Sequence, residues 1–99
     1  MHTRTPAVAG QFYPADQKAL EETLRGFISE PETRLRARGV VVPHAGYVYS
    51  GHVAGAVYSR LQLPDRYIIL CPNHTIPPPI MSVWSGGAWE TPLGQGQWK

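Results

Sequence analysis

The 99 residues carry a formal net charge of +2 with no run of Lys or Arg, 42% apolar and 16% charged residues, ten Gly, ten Pro and one Cys. A chain of this size makes one small domain at most. The charge leaves no electrostatic footprint for nucleic acid or an anionic membrane, no apolar stretch reaches spanning length, and a lone cysteine makes no internal disulfide.

Met1-His2-Thr3-Arg4 carries no signal-peptide pattern, so a reducing cytoplasm is the expected compartment. Residues 5–14 are proline-bounded and lack a helical period, and they are expected to lie extended over the core. Asp16 then offers a capping oxygen, and Leu20, Leu24, Phe27 and Ile28 recur at helical spacing, which predicts an amphipathic helix over 16–29 ended by Pro31. Arg34, Arg36 and Arg38 alternate and read as the solvated side of an extended connection.

Val40-Val41-Val42 is a β-branched run that stops at Pro43 and delivers His44 into a turn with Gly46, so a strand is expected over 38–43. Ser50 is the expected cap of a second helix with Val53, Ala54, Val57, Tyr58 and Leu61 on one stripe. After Pro64-Asp65 a second apolar run, Tyr67-Ile68-Ile69-Leu70-Cys71, stops at Pro72 and is followed by Asn73-His74.

Strand, helix and strand within about 35 residues is the spacing of a βαβ unit, whose right-handed crossover makes the strands parallel. Parallel order puts both carboxyl ends on one edge, and neighbouring strands lie about 4.8 Å apart. His44 and His74 are therefore expected to share a site, with ring nitrogens about 3 to 4 Å apart if both ligate one metal. Residues 76–80, Ile-Pro-Pro-Pro-Ile, read as a stiff loop. Residues 81–84 read as a short strand, 85–88 as a turn and 89–94 as an extended piece, while Gln95 to Lys99 show no pattern.

Four ordered motifs resemble the Memo family. They are Pro6-Ala7-Val8-Ala9-Gly10-Gln11-Phe12-Tyr13-Pro14, Val42-Pro43-His44-Ala45-Gly46-Tyr47-Val48-Tyr49-Ser50-Gly51, Pro72-Asn73-His74-Thr75, and Trp89-Glu90-Thr91-Pro92-Leu93-Gly94. Its prokaryotic members are called AmmeMemoRadiSam system protein B. The resemblance covers residues 4–94 and implies a single partial α/β domain over 1–99, the amino-terminal third of the family's length with the carboxy-terminal two thirds absent. After Gly94 the sequence departs from the family's pattern, as a truncated or frameshifted chain would. The implied fold is similar to the class III extradiol ring-cleavage dioxygenases: this chain would be the βαβ-containing part of a three-layer α/β sandwich.

The resemblance also implies chemistry at named positions. The histidine of the family's Pro-His-Ala-Gly-Tyr motif is His44, and that of its Pro-Asn-His motif is His74. Both would be metal ligands, with Tyr47 beside them and both histidines in the reacting centre. Iron or copper is implied ahead of zinc. The third ligand, a cysteine or carboxylate far downstream, has no counterpart in this chain, and neither do the aspartate and histidine that complete the pocket. Radical SAM and other AmmeMemoRadiSam proteins are the implied partners.

Read without the family, each residue also has a plainer role. His52 reads as exposed, Cys71 as a small buried side chain rather than half of a Cys-x-x-His zinc site, and Tyr49 as a locally packed aromatic. Gly46 and Gly51 read as turn residues, because no GxGxxG or Lys-Ser/Thr motif accompanies them. Trp84, Trp89 and Trp98 lie among Gly and Pro as an aromatic patch that expects cover, and self-association is the expected consequence. Two functions of different class follow: a metal-dependent, dioxygenase-like oxidoreductase whose reaction is open and whose turnover in this chain alone is slight, or a non-catalytic module that binds a peptide or partner protein through the inherited pocket.

Overall fold

Asp16 starts the first helix as its side chain predicts. In the computed structural model, which describes residues 2–74, 77 and 81–98, its Oδ2 accepts the Ala19 N–H at 3.0 Å and opens α1 (Gln17–Phe27). Leu20 is the buried anchor at 3% exposure, with Leu24 and Phe27 half-buried beside it. The helix stops at Phe27, short of the expected end at residue 29. Ile28 turns extended, and the Ser29 N–H donates to Ser59 Oγ at 2.8 Å rather than continuing the helix.

The second helix, α2 (Tyr47–Ser59), begins before Ser50, which is therefore not its cap. Gly46 occupies that position, and the buried Ser50 hydroxyl donates to the Ala45 carbonyl at 2.9 Å. The expected stripe is also displaced. Val53 and Tyr58 are exposed, while Ser50, Gly55 and Ser59 are buried. The reason is Phe27, which lies across the small residues. A Cβ on Gly51 would stand 2.5 Å from its ring, and one on Gly55 would strike its carbonyl oxygen. At the far end Ser59, 1% exposed, donates to the Gly55 carbonyl at 2.6 Å while accepting from Ser29, and so ties the two helices together.

The lead-in is folded rather than extended. The N–H groups of Gln11 and Phe12 both donate to the Val8 carbonyl at 3.0 Å, and Gly10, at φ +85°, donates to the Tyr13 carbonyl at 2.7 Å. Positive φ is a conformation that glycine adopts without strain.

The three-stranded sheet forms from other segments than the two apolar runs. β1 (Thr3–Arg4) pairs in parallel with β2 (Gly87–Thr91), which pairs antiparallel with β3 (Gly94–Trp98). Residues 81–84 form no strand, β2 begins inside the expected turn, and the patternless terminus supplies β3. Gly87, at φ +94°, lets the His2 carbonyl pass where a Cβ would collide, and the adjacent Ala88 N–H donates to that carbonyl at 3.0 Å. A two-residue turn closes the hairpin: the Thr91 hydroxyl donates to the Gly94 carbonyl at 3.0 Å and accepts the Leu93 N–H at 3.1 Å. Trp84 and Trp89 are half-buried, packed edge to face at 5.9 Å, with His2 against Trp84 and the Arg4 guanidinium 4.4 Å over Trp89.

The runs at 38–43 and 66–71 carry no ladder, and Val41, Ile68 and Leu70 are 94%, 92% and 91% exposed. A central parallel strand needs neighbours for its amides and cover on both faces. Among the described residues neither is supplied. Their roots are nonetheless held together. Leu35 donates to the Arg60 carbonyl at 2.7 Å and accepts from Gln62 at 2.8 Å, in a parallel bridge between Leu35 and Leu61. The described residues thus form a small α/β arrangement of two helices and a mixed sheet. Apart from Pro77, the loop expected over 76–80 lies outside the described residues, and so does the Trp98 side chain.

Candidate functional site

His44 leaves the first apolar run one residue after Pro43, whose ring removes the backbone donor and ends any ladder there. His74 leaves the second run two residues after Pro72. The structure brings these two histidines together. Their Nε2 atoms are 3.3 Å apart, and the rings stack with centroids 5.3 Å apart and planes 28° apart. Both side chains are exposed.

Two nitrogens facing at this distance have two chemical states. If one Nε2 carries its proton, the pair makes an N–H···N hydrogen bond. If both present lone pairs, the repulsion is relieved by a cation held between them. Two ligands about 2.1 Å from one first-row ion, at tetrahedral or octahedral angles, are about 3.0 to 3.4 Å apart, and the separation of the pair falls in that range. The pair alone does not fill a metal site. Among the described residues no group of three His, Cys, Asp or Glu side chains could hold a metal ion.

Tyr47 opens α2 three residues after His44, and both line an apolar cleft of about 270 Å³ whose wall also includes Val42, Pro43 and Tyr58. His74 is not part of that wall. The Tyr47 ring packs on Tyr13 at 5.5 Å and edge-on to Phe27 at 6.3 Å. Burial raises its phenol above the ordinary tyrosine range, with smaller contributions from Tyr13 and Tyr58. It is accordingly a neutral O–H donor at physiological pH.

Other singled-out residues stand elsewhere. His52 is exposed as expected, Tyr49 is exposed rather than packed, and Cys71 is an exposed free thiol where a buried one was expected. Gly46 has an ordinary φ of −55°, so its turn does not require left-handed backbone. Nor does space require glycine there, since a Cβ would make only ordinary contacts with Phe12. The Phe12 carbonyl oxygen and Cα lie 3.4 and 3.5 Å from the position a Cβ would take, and that carbonyl accepts the Tyr47 N–H at 2.8 Å. Sequence reasoning missed Phe12 as a neighbour of the histidine loop. The glycine two residues after His44 and the unclaimed amide at the helix start were its available signals.

The chain matches the Memo-like protein family model over residues 4–97, and it belongs to the Memo family. It is 47% identical over 97 residues to a MEMO1 family protein of Aquifex aeolicus, covering 95% of this chain and 36% of the relative. A MEMO1 family protein of Methanosarcina barkeri is 50% identical over 92 residues, with 92% of this chain and 34% of the relative covered. A third, from Pyrobaculum arsenaticum, is 43% identical over 107 residues, with 96% and 38% covered. The chain therefore spans little more than a third of the length of these curated relatives. No solved structure gives a significant match to it.

Proposed function

We propose that His44 and His74 are two ligands of a transition-metal site, iron or copper ahead of zinc, in a protein of the dioxygenase-like kind. The observation that carries this reading is the 3.3 Å separation of two Nε2 atoms delivered by loops 30 residues apart in sequence. When bound, the metal would supply Lewis-acid or redox chemistry at the edge where both runs end. The imidazoles hold it, and Tyr47, neutral and lining the cleft beside His44, is the group placed to hold or move a proton. The site needs a third ligand, and in a full-length Memo protein the remaining two thirds of the sequence is its source. That remainder would also pair and cover the apolar runs and complete the three-layer sandwich. This chain alone is expected to turn over little or nothing. Radical SAM and other AmmeMemoRadiSam proteins are the proposed partners, in the cytoplasm. No helix among the described residues is long and apolar enough to cross a membrane.

Titration of Cu(II), Fe(II) and Zn(II) into wild type, His44→Ala and His74→Ala tests the reading. Wild type is expected to bind at least about tenfold more tightly than either variant, each of which lacks one of the two imidazole ligands. Equal binding by all three proteins would leave the non-catalytic binding module as the better account.

A further inference from the structure

We propose that the turn at residues 8–13 is a positioning clamp that holds His44 against His74. This rests on the reading of those two histidines as one site and adds the element that sets their geometry. Three contacts fix how the chain leaves His44. The Phe12 carbonyl takes the Tyr47 N–H at 2.8 Å, an amide that the first turn of α2 leaves without a helical partner. Gly46 lies against the Phe12 backbone with room for no more than an ordinary contact. The Ser50 hydroxyl holds the Ala45 carbonyl at 2.9 Å. Ala45, Gly46 and Tyr47 are thus each tied down, and His44 is the next residue out.

The clamp is itself stiff. Val8 accepts two amides, Gly10 closes onto Tyr13, and the Tyr13 ring rests on the Tyr47 ring at 5.5 Å. Its action runs through the backbone, since the Phe12 ring is 55% exposed. Its weak point is Gly10, which needs φ +85° and stands 34 residues before His44 in the sequence. A residue that resists positive φ there should open the turn, withdraw the Phe12 carbonyl and release the His44 loop without altering any ligand.

The experiment compares wild type, Gly10→Val, Gly10→Asn and Gly26→Ala. Asn tolerates positive φ, and a Cβ on Gly26 meets nothing within 4 Å. Two readouts are taken: the NMR cross-relaxation contact between the His44 and His74 imidazole protons without metal, and the affinity for Cu(II) alone. The expected result is an inter-ring contact in wild type, Gly10→Asn and Gly26→Ala, its loss in Gly10→Val, and Cu(II) binding about tenfold weaker in that variant. If Gly10→Val does not fold, Gly46→Val, which pushes on the Phe12 carbonyl from the other side, is read in its place. A Gly10→Val protein that keeps both the inter-ring contact and wild-type affinity overturns the clamp and leaves the site standing. Wild type without an inter-ring contact overturns both.

Discussion

The helical pair and the two apolar runs differ in where their partners come from. α1 and α2 satisfy each other: Phe27 lies on Gly51 and Gly55, and Ser59 bonds across to Ser29. Residues 38–43 and 66–71 are richer in β-branched and large apolar side chains, yet Val41, Ile68 and Leu70 stand almost wholly in water. Apolar character alone therefore does not locate the core of this chain. What decides burial is whether a complementary surface lies within reach of the same 99 residues, and the small-residue face of α2 has one in Phe27.

The strongest way to break this contrast is to fill the helix contact. Gly55→Leu would drive a side chain into the Phe27 carbonyl, and overpacking there should cost about 3 kcal/mol, a large share of the stability of so small a fold. Val41→Ser, on the other side of the comparison, should change the unfolding free energy by less than about 0.5 kcal/mol. Thermal melts followed by circular dichroism measure both. Similar losses would mean that the runs are packed in solution, by a second copy if the loss depends on concentration.

That asymmetry also sorts what was legible in the sequence. α1 was readable because Leu20, Leu24 and Phe27 follow the helical period and Asp16 caps it, all of which are local signals. The buried face of α2 was not, because amphipathic reasoning puts Val53 and Tyr58 inside, and only the position of Phe27 across the fold favours Gly and Ser. The strand runs were read from composition, but a ladder is a property of neighbours, and those lie outside this chain's described contacts. β3 escaped notice because Gly94-Gln95-Gly96-Gln97 has no apolar alternation, although Pro92 and Gly94 mark the turn that folds it back. The proximity of His44 and His74 was legible from two apolar runs that each stop at a proline, although the parallel ladder expected to bring them together does not form among the described residues. The support beneath His44 was not, because a backbone carbonyl has no side-chain signature.

A smaller effect sharpens the helical side of the comparison. Ser59→Ala removes the acceptor of the Ser29 N–H and one bond to the Gly55 carbonyl in a site only 1% exposed. Leaving that amide without a partner should cost about 2 kcal/mol. Ser59→Cys retains a weak acceptor of similar size and should cost less. Equal stability of wild type and Ser59→Ala in urea titration would show that water reaches Ser29 and that the helix ends are not sealed.

The smallest effect lies at the border between the two regions, where Tyr47 begins α2 and lines the cleft beside His44. Its phenol is raised first by burial and then by Tyr13 and Tyr58, whereas the unfolded chain releases that proton near pH 10. Below about pH 9 both states keep the proton, and Tyr47 contributes nothing to the pH dependence. As pH rises past about 10 the native state binds more protons than the unfolded one, so stability falls, and it goes on falling until the native phenol ionises as well. Tyr47→Phe has no proton to lose there. Its urea midpoint should therefore drop less between pH 8 and pH 10.5 than that of wild type. Equal drops would mean that the phenol is as well solvated when folded as when unfolded, which would rule out its burial against Phe27.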